Sequence, residues 1–331
     1  MPHGMTGRFV EDTAMGSTIR AAAHHLPARV LANEELAARL STSDAWIRSR
    51  VGPATRHLAD PDETVAGMAS AAAGKALAHS GLAPEEIDLV VVATSTTAER
   101  MPSTAARVAQ ELRVPTAAAF DVNAACSGFS HALAIADHAL SAGAARHALV
   151  VGADKMSDFL DWEDRTSCVI FGDGAGAVVV SAAAAPAPGI GPVAWGSRPD
   201  LGDAVTIGPA PGRARPLFTQ QGQSVYRWAT TALASVARRA CHNAGVAPGE
   251  LAAFVPHQAN LRIIESLARQ LDAPGAYIAR DIVDCGNTNA ASIPIALSRL
   301  VERRAVPGDS AVLLLGFGAG LSFSAQVVRC P

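Results

Sequence analysis

Two runs of consecutive apolar, largely β-branched residues recur at about half the chain length, and this recurrence restricts the fold more than any other feature. Leu251–Pro256 (LAAFVP) repeats the run beginning at Ile87 (IDLVVV), and Ala311–Leu315 (AVLLL) repeats Ala148–Gly152 (ALVVG) at an offset only one position shorter. Such continuous runs mark strands buried on both faces. The helical pattern Val65–Gly81, broken by Leu82-Ala83-Pro84, also returns as Ser224–Gly245, broken by Val246-Ala247-Pro248. The expected fold is α/β, with two duplicated halves about a pseudo-twofold axis and helices covering each sheet. The halves are expected at 17–183 and 189–331, joined by the Ala- and Pro-rich link Ala182–Pro188.

Composition agrees with a large core. Apolar residues are 49% of the chain and charged residues 17%, which excludes a disordered protein. The 27 basic and 30 acidic residues leave a formal charge of −3, which argues against a nucleic-acid partner held by a general field. The five cysteines are scattered without CxxC spacing, so neither a disulfide framework nor a zinc site is expected, and a reducing cytoplasm is. No apolar run reaches the roughly 18 residues of a membrane span. The opening segment Met1–Gly16 reads as a loose leader carrying Arg8, Glu11 and Asp12, not as a signal peptide.

Along the chain, a strand is expected at Ser17–Ala23, Asn33 as the cap of a helix to Leu40, and Ser41–Asp44 as the cap of the next. Further helices are read from Pro102 to Leu112 and from Ser127 to Ala142, and strands at Ala117–Val122 and His147–Gly152. A pair of extended segments is expected in Cys168–Val180 around FGDGAG.

Three clusters could carry chemistry. Cys126 follows a buried strand and opens a helix, where unpaired amides would lower the thiol pKa and favour nucleophilic attack; a lone cysteine is more commonly a small core residue, so position alone does not settle its role. His257, in PHQAN, sits at the carboxyl end of a buried strand, where polar side chains enter the crevice of α/β sheets. Asn287, in Asp284–Ser292, lies on a glycine turn before a helix and by itself is only a cap. The duplication places the Asn287 turn where Cys126 lies in the first half, and His257 where Ala93 and Thr94 lie. Cysteine, histidine and asparagine thus converge on one pseudo-dyad. The strings Gly172–Gly176 and Gly316–Gly320 lack the strand, turn, helix order of a dinucleotide fingerprint, which discriminates against a nucleotide-dependent oxidoreductase. A non-catalytic binding protein would not need the three residues together.

These residues bring the sequence to a family. It resembles β-ketoacyl-acyl carrier protein synthase III, the initiating ketosynthase of the thiolase-like superfamily, over Ser17–Arg329. The strings that carry the resemblance are TSDAWI at 42–47, AACSGF around Cys126, FGDGAGA at 171–177, PHQANLR at 256–262, GNTNAAS at 286–292 and GFGAG at 316–320. Departures are Ala45, where the family usually has an acidic residue, and Val51-Gly52-Pro53, where Thr-Gly-Ile is common; both bear on primer choice. The resemblance implies a thiolase-like fold and a decarboxylative condensation of an acyl-CoA primer with malonyl-acyl carrier protein. It implies Cys126 as nucleophile and His257 and Asn287 as donors to the malonyl thioester. The backbone of Ala319 would serve the oxyanion, with Phe317 beside the departing carboxylate. It further implies Trp46 and Arg165 around adenine, Arg50 at the nucleotide phosphates and Asn260 near the pantetheine channel. Arg227 and Arg262 would dock the carrier protein, and Met101 would close the primer pocket of a homodimer partner. No metal or organic cofactor is implied, nor a nucleic-acid or membrane partner. The rival is a specialised homologue that primes a polyketide, which the same three residues fit, or one that transfers an acyl group in specialised metabolism.

Overall fold

The two halves carry one sheet topology twice. The computed structural model describes residues 15–184 and 189–331. The first half supplies β1 (Met15–His25), β2 (Arg29–Ala32), β3 (Thr55–Leu58), β4 (Leu89–Ala93), β5 (Ala118–Val122), β6 (His147–Lys155) and β7 (Asp173–Ala184). The second supplies β8 (Ala194–Ser197), β9 (Val205–Gly208), β10 (Leu217–Gln220), β11 (Ala253–Pro256), β12 (Tyr277–Ile278), β13 (Ala311–Gly318) and β14 (Ser322–Arg329). The sheets run β1-β7-β6-β4-β5 and β8-β14-β13-β11-β12, each with two antiparallel pairings followed by two parallel ones. Leu89 pairs with Ala148 and Ala253 with Val312, partners equally far apart along the chain in the two halves. The offset that carries Leu89 to Ala253 therefore relates both strand pairs, and Ala148 corresponds to Val312 rather than to Ala311.

The helices are α1 (Asn33–Ala37), α2 (Asp44–Arg50), α3 (Val65–Ser80), α4 (Thr104–Glu111), α5 (Gly128–Ser141), α6 (Gly222–Asn243), α7 (Leu261–Leu271), α8 (Ile282–Cys285) and α9 (Ser292–Glu302). Helices α5 and α9 begin at positions related by the same offset, and each follows a single tight turn, Ala125–Ser127 or Asn289–Ala291. They lie between the two sheets, where Phe129, Leu133, Ile293 and Leu297 join the central core. Helices α3 and α4 cover the outer face of the first sheet, and α6 and α7 that of the second. The Thr64 hydroxyl caps α3 by accepting from the Gly67 N–H at 3.0 Å, and Gly81 ends it at φ 73°.

Some local expectations change. Asn33 does not cap α1, whose cap position is Ala32; its buried amide donates to Asp44 and Pro53 and accepts from Arg56. Ser43 caps α2 as expected. Cys168–Val180 holds one strand rather than a pair: β7 starts at Asp173, and Phe171 makes only an isolated bridge to Asn287. Most of the expected leader (1–14) and the stretch 185–188 of the link lie outside the described residues. Among the described residues no helix is long and apolar enough to cross a membrane.

Candidate active site

Cys126 stands on a strained elbow. Ala125 before it takes φ 46°, a region costly for a residue with a Cβ, and its pseudo-symmetric counterpart Asn289 takes φ 52°. The turn sets the sulfur at the head of α5, against the end of β13. A Cβ on Gly318 would lie 2.7 Å from that of Cys126, so only glycine lets the β13 backbone come this close. Ala319 next to it keeps a negative φ while Gly320 takes 116°, so the turn accepts the alanine side chain.

A cavity of about 730 Å³ brings the candidates together. Cys126, His257, Asn287, Phe317 and Ala319 line its inner part, and Trp46, Arg50, Arg227, Asn260 and Arg262 line it toward solvent. A smaller cavity of about 220 Å³ shares Cys126 and Ala319 and extends past Ser95, Met156, Phe218 and Asn289. The sulfur therefore sits where the two spaces meet.

His257 continues the β11–β13 ladder through its N–H to the Leu315 carbonyl at 2.8 Å, which fixes its direction. Its ring is buried, edge-on to Phe317 at 5.2 Å, with Nδ1 2.6 Å from the Ser292 hydroxyl. Burial pushes its pKa down to about 3, so the ring is a neutral imidazole. Asn287 is held by its backbone to Ile170 and Gly172 and by its Oδ1, which accepts from the Asn289 N–H at 2.8 Å. Its amide nitrogen is left to face the cavity.

The expectation of a lowered Cys126 thiol is corrected. Burial, with a smaller contribution from the Asp154 charge, pushes it up to about 12 from 9.0. That rise disfavours the thiolate by about 4 kcal/mol, whereas a helix N-terminus typically supplies only about 0.3–1 kcal/mol. Desolvation wins, and the resting group is the thiol.

The remaining candidates fall as follows. The Arg165 guanidinium lies 5.3 Å from the centre of the Trp46 ring, so the two touch each other and a base enters between them only if one moves. Asn260 caps α7, its Oδ1 accepting from the Arg262 N–H and its Nδ2 donating to the Arg50 carbonyl; both ends of the amide are engaged within the wall. Arg262 stacks on Tyr226 at 5.2 Å. With Arg50 and Arg227 it makes the cavity mouth basic, and no carboxylate among the described residues lines it. Met101 is 87% exposed and lines neither cavity of its own chain.

Two residues carried no role in the sequence reading. Ser292, in the GNTNAAS string, is 35 residues from its partner His257. Asp154 has no motif around it; burial pushes its carboxyl up to about 6. Its Oδ2 accepts from the Ala290 N–H at 2.9 Å, and Ala290 is the counterpart of Cys126 under the offset between the halves. The N–H of the second half that corresponds to that of Cys126 thus already holds an anionic oxygen, supplied by the first half.

The fold that brings this cysteine, histidine and asparagine together is that of the thiolase-like enzymes. Family models described as 3-oxoacyl-[acyl-carrier-protein (ACP)] synthase III and its C-terminal part match residues 120–199 and 241–330. The chain is 60% identical over 317 residues to beta-ketoacyl-[acyl-carrier-protein] synthase III 2 of Streptomyces avermitilis, covering 96% of this chain and 99% of that protein. It is 41% identical to the priming β-ketosynthase of the R1128 polyketide biosynthetic pathway, whose crystal structure superposes with a TM-score of 0.94 over 98% of this chain and 99% of the other. The 3-oxoacyl-(acyl carrier protein) synthase III of Pseudomonas aeruginosa is also 41% identical, with a TM-score of 0.90 over 96% and 98%. The chain belongs to the 3-oxoacyl-[acyl-carrier-protein] synthase III family.

Proposed function

We propose that this protein condenses an acyl-CoA primer with malonyl-acyl carrier protein, giving 3-oxoacyl-acyl carrier protein, CO2 and CoA. The observation that carries the reading is the meeting of two cavities at Cys126, one with His257 and Asn287 and one sized for an acyl chain. In the first half-reaction the sulfur attacks the primer thioester. The acyl–S bond to CoA breaks, and the thiol proton leaves with the CoA sulfur. The Cys126 and Ala319 N–H groups hold the oxyanion, each such donor being worth roughly 3 kcal/mol. The Asp154 oxygen bound to Ala290 N–H supports this role, since it is an anion on the equivalent donor.

In the second half-reaction the malonyl C–C bond breaks, CO2 leaves, and negative charge builds on the thioester oxygen. The Asn287 amide and the His257 Nε2–H donate to that oxygen; the tautomer is set when the Ser292 hydroxyl donates to Nδ1. The enolate carbon attacks the acyl-Cys126 carbonyl, Cys126 leaves as thiolate, and it takes a proton from solvent. Phe317 keeps the departing carboxylate against an apolar wall. No step draws on a metal or organic cofactor.

Arg50, Arg227 and Arg262 serve the phosphates of CoA and the acidic carrier protein, and Trp46 with Arg165 the adenine. The 220 Å³ cavity supports primers beyond acetyl, since an apolar cavity of about 150 Å³ holds benzene. A homodimer through the first sheet is supported by β5, an edge strand with Phe120 39% exposed, and by the exposed Met101 beyond β4. Five free cysteines support a reducing cytoplasm. The similarity to a polyketide-priming ketosynthase supports a second reading in which the product enters a polyketide instead of a fatty acid.

The test is intact mass after incubation with a panel of acyl-CoAs, with Cys126→Ala beside the native chain. The native protein gains one acyl mass, which names the primer. Cys126→Ala gains none and still releases CO2 from malonyl-carrier protein. Self-acylation retained in that variant refutes the mechanism, and no acylation of the native chain refutes the function.

A further inference from the structure

The carboxylate of Asp154 takes part in no step above, yet it stands directly behind the site. It lies near the end of β6, is wholly buried, and gathers donors from two distant stretches of chain. Its Oδ1 accepts from the Ser95 N–H at 2.9 Å and from the hydroxyls of Thr96 at 2.8 Å and Thr94 at 3.2 Å. Its Oδ2 accepts from the Ala290 N–H at 2.9 Å. Asn289, immediately before Ala290, donates its N–H to Asn287 Oδ1 at 2.8 Å and its side-chain nitrogen to Ser95 Oγ at 2.6 Å. One side chain thus ties the segment after β4 to the turn that aims Asn287.

We infer that Asp154 is a positioning residue for the decarboxylation half-reaction, holding the Asn287–Ala290 turn so that the Asn287 amide nitrogen faces the malonyl thioester. The inference rests on the function proposed above. The donor set requires a carboxylate. Two of the donors are backbone N–H groups on opposite oxygens, and an N–H cannot turn round to accept. Asparagine has a single acceptor oxygen, so either Ser95 or Ala290 would face its NH2 group. The hydroxyls of Thr94 and Thr96 can rotate, but no rotation repairs the backbone conflict, and burial leaves no water to take its place.

The pseudo-symmetry explains why the carboxylate is here. Asp154 occupies the place in β6 that Gly318 holds in β13, under the same offset that carries Cys126 to Ala290. There the glycine leaves room beside the Cys126 N–H, and here the carboxylate fills the room and anchors the turn. Gly152 beside it has no Cβ, which would otherwise collide with the Ala290 carbonyl.

The test measures the two half-reactions of Asp154→Asn and native protein separately. Acylation of Cys126 by acyl-CoA is followed by intact mass, CO2 release from malonyl-carrier protein is followed directly, and thermal melting checks folding. CO2 release is expected to fall about tenfold, as for loss of a buried hydrogen bond, while the acylation rate does not fall, since removing the Asp154 charge eases ionisation of the Cys126 thiol. Thr96→Val removes one donor and keeps the volume; it is expected to give the same split at about threefold, and it decides the matter if Asp154→Asn does not fold. Equal losses in both assays, or none in either, overturn the inference. A native protein that performs neither half-reaction instead overturns the function on which the inference rests.

Discussion

The Nδ1 of His257 and the hydroxyl of Ser292 lie 2.6 Å apart, both buried, at the junction of β11 and α9. The Ser292 oxygen also accepts from the Gln258 N–H at 3.4 Å, which leaves its proton free to point at the ring. A donated proton there leaves the other ring nitrogen as the N–H donor that enolate formation needs. Ser292→Ala removes the partner that selects this tautomer. CO2 release from malonyl-carrier protein is expected to fall about tenfold, measured in the Cys126→Ala background so that condensation does not interfere. An unchanged rate would mean that Ser292 does not set the tautomer.

The half-buried thiol of Cys126 makes a pH prediction. A group with a pKa pushed up to about 12 is protonated throughout the neutral range, and its thiolate fraction grows tenfold per pH unit up to that value. Alkylation of Cys126 by iodoacetamide, read by mass, should therefore climb steeply from pH 7 to about 9 without levelling. A plateau near neutrality would show that the helix terminus has overcome desolvation.

The basic mouth predicts selective damage to one substrate. The double reversal Arg227→Glu, Arg262→Glu should raise KM for malonyl-carrier protein, about tenfold or more at low salt, and affect KM for acyl-CoA less. Added salt should weaken carrier-protein binding of the native chain in the same sense. Equal KM values in native and reversed proteins would remove this face as the docking site.

Primer range should depend on Met101. Methionine is unbranched and folds away from a longer chain, whereas an aromatic ring at the mouth of the partner's pocket is rigid. Met101→Phe should lower the ratio of kcat/KM for a four- or five-carbon acyl-CoA to that for acetyl-CoA. An unchanged ratio would show that Met101 does not line the pocket.

Much of the architecture was legible in the chain. The buried runs at Ile87 and Leu251 announce strands without help from their neighbours, because a strand covered on both faces has no polar side to alternate with. Their recurrence announces the duplication, and the turns Pro84–Glu86 and Pro248–Glu250 repeat it in detail, each glutamate bonding back to the N–H of Ala83 or Ala247. Cys126, His257 and Asn287 were also within reach, since each sits at the end of a recognisable element and the strings around them are specific.

What the chain alone could not supply is burial, which is a sum over groups that arrive from distant segments. The amino-acid order predicts a cysteine at a helix start, and from that a lowered thiol; packing against β13 and the charge of Asp154 instead push the thiol up. His257 stays neutral for the same reason. The roles of Asp154 and Ser292 show in no local pattern, because their partners lie 136 and 35 residues away: Asp154 meets Ala290 across the two halves, and Ser292 meets His257 within the second. Sequence by itself determined the elements, their duplication and the side chains that are candidates for the reaction. The tertiary structure alone decided their protonation and their aim, because desolvation and hydrogen bonding between remote segments exist only once the chain is packed.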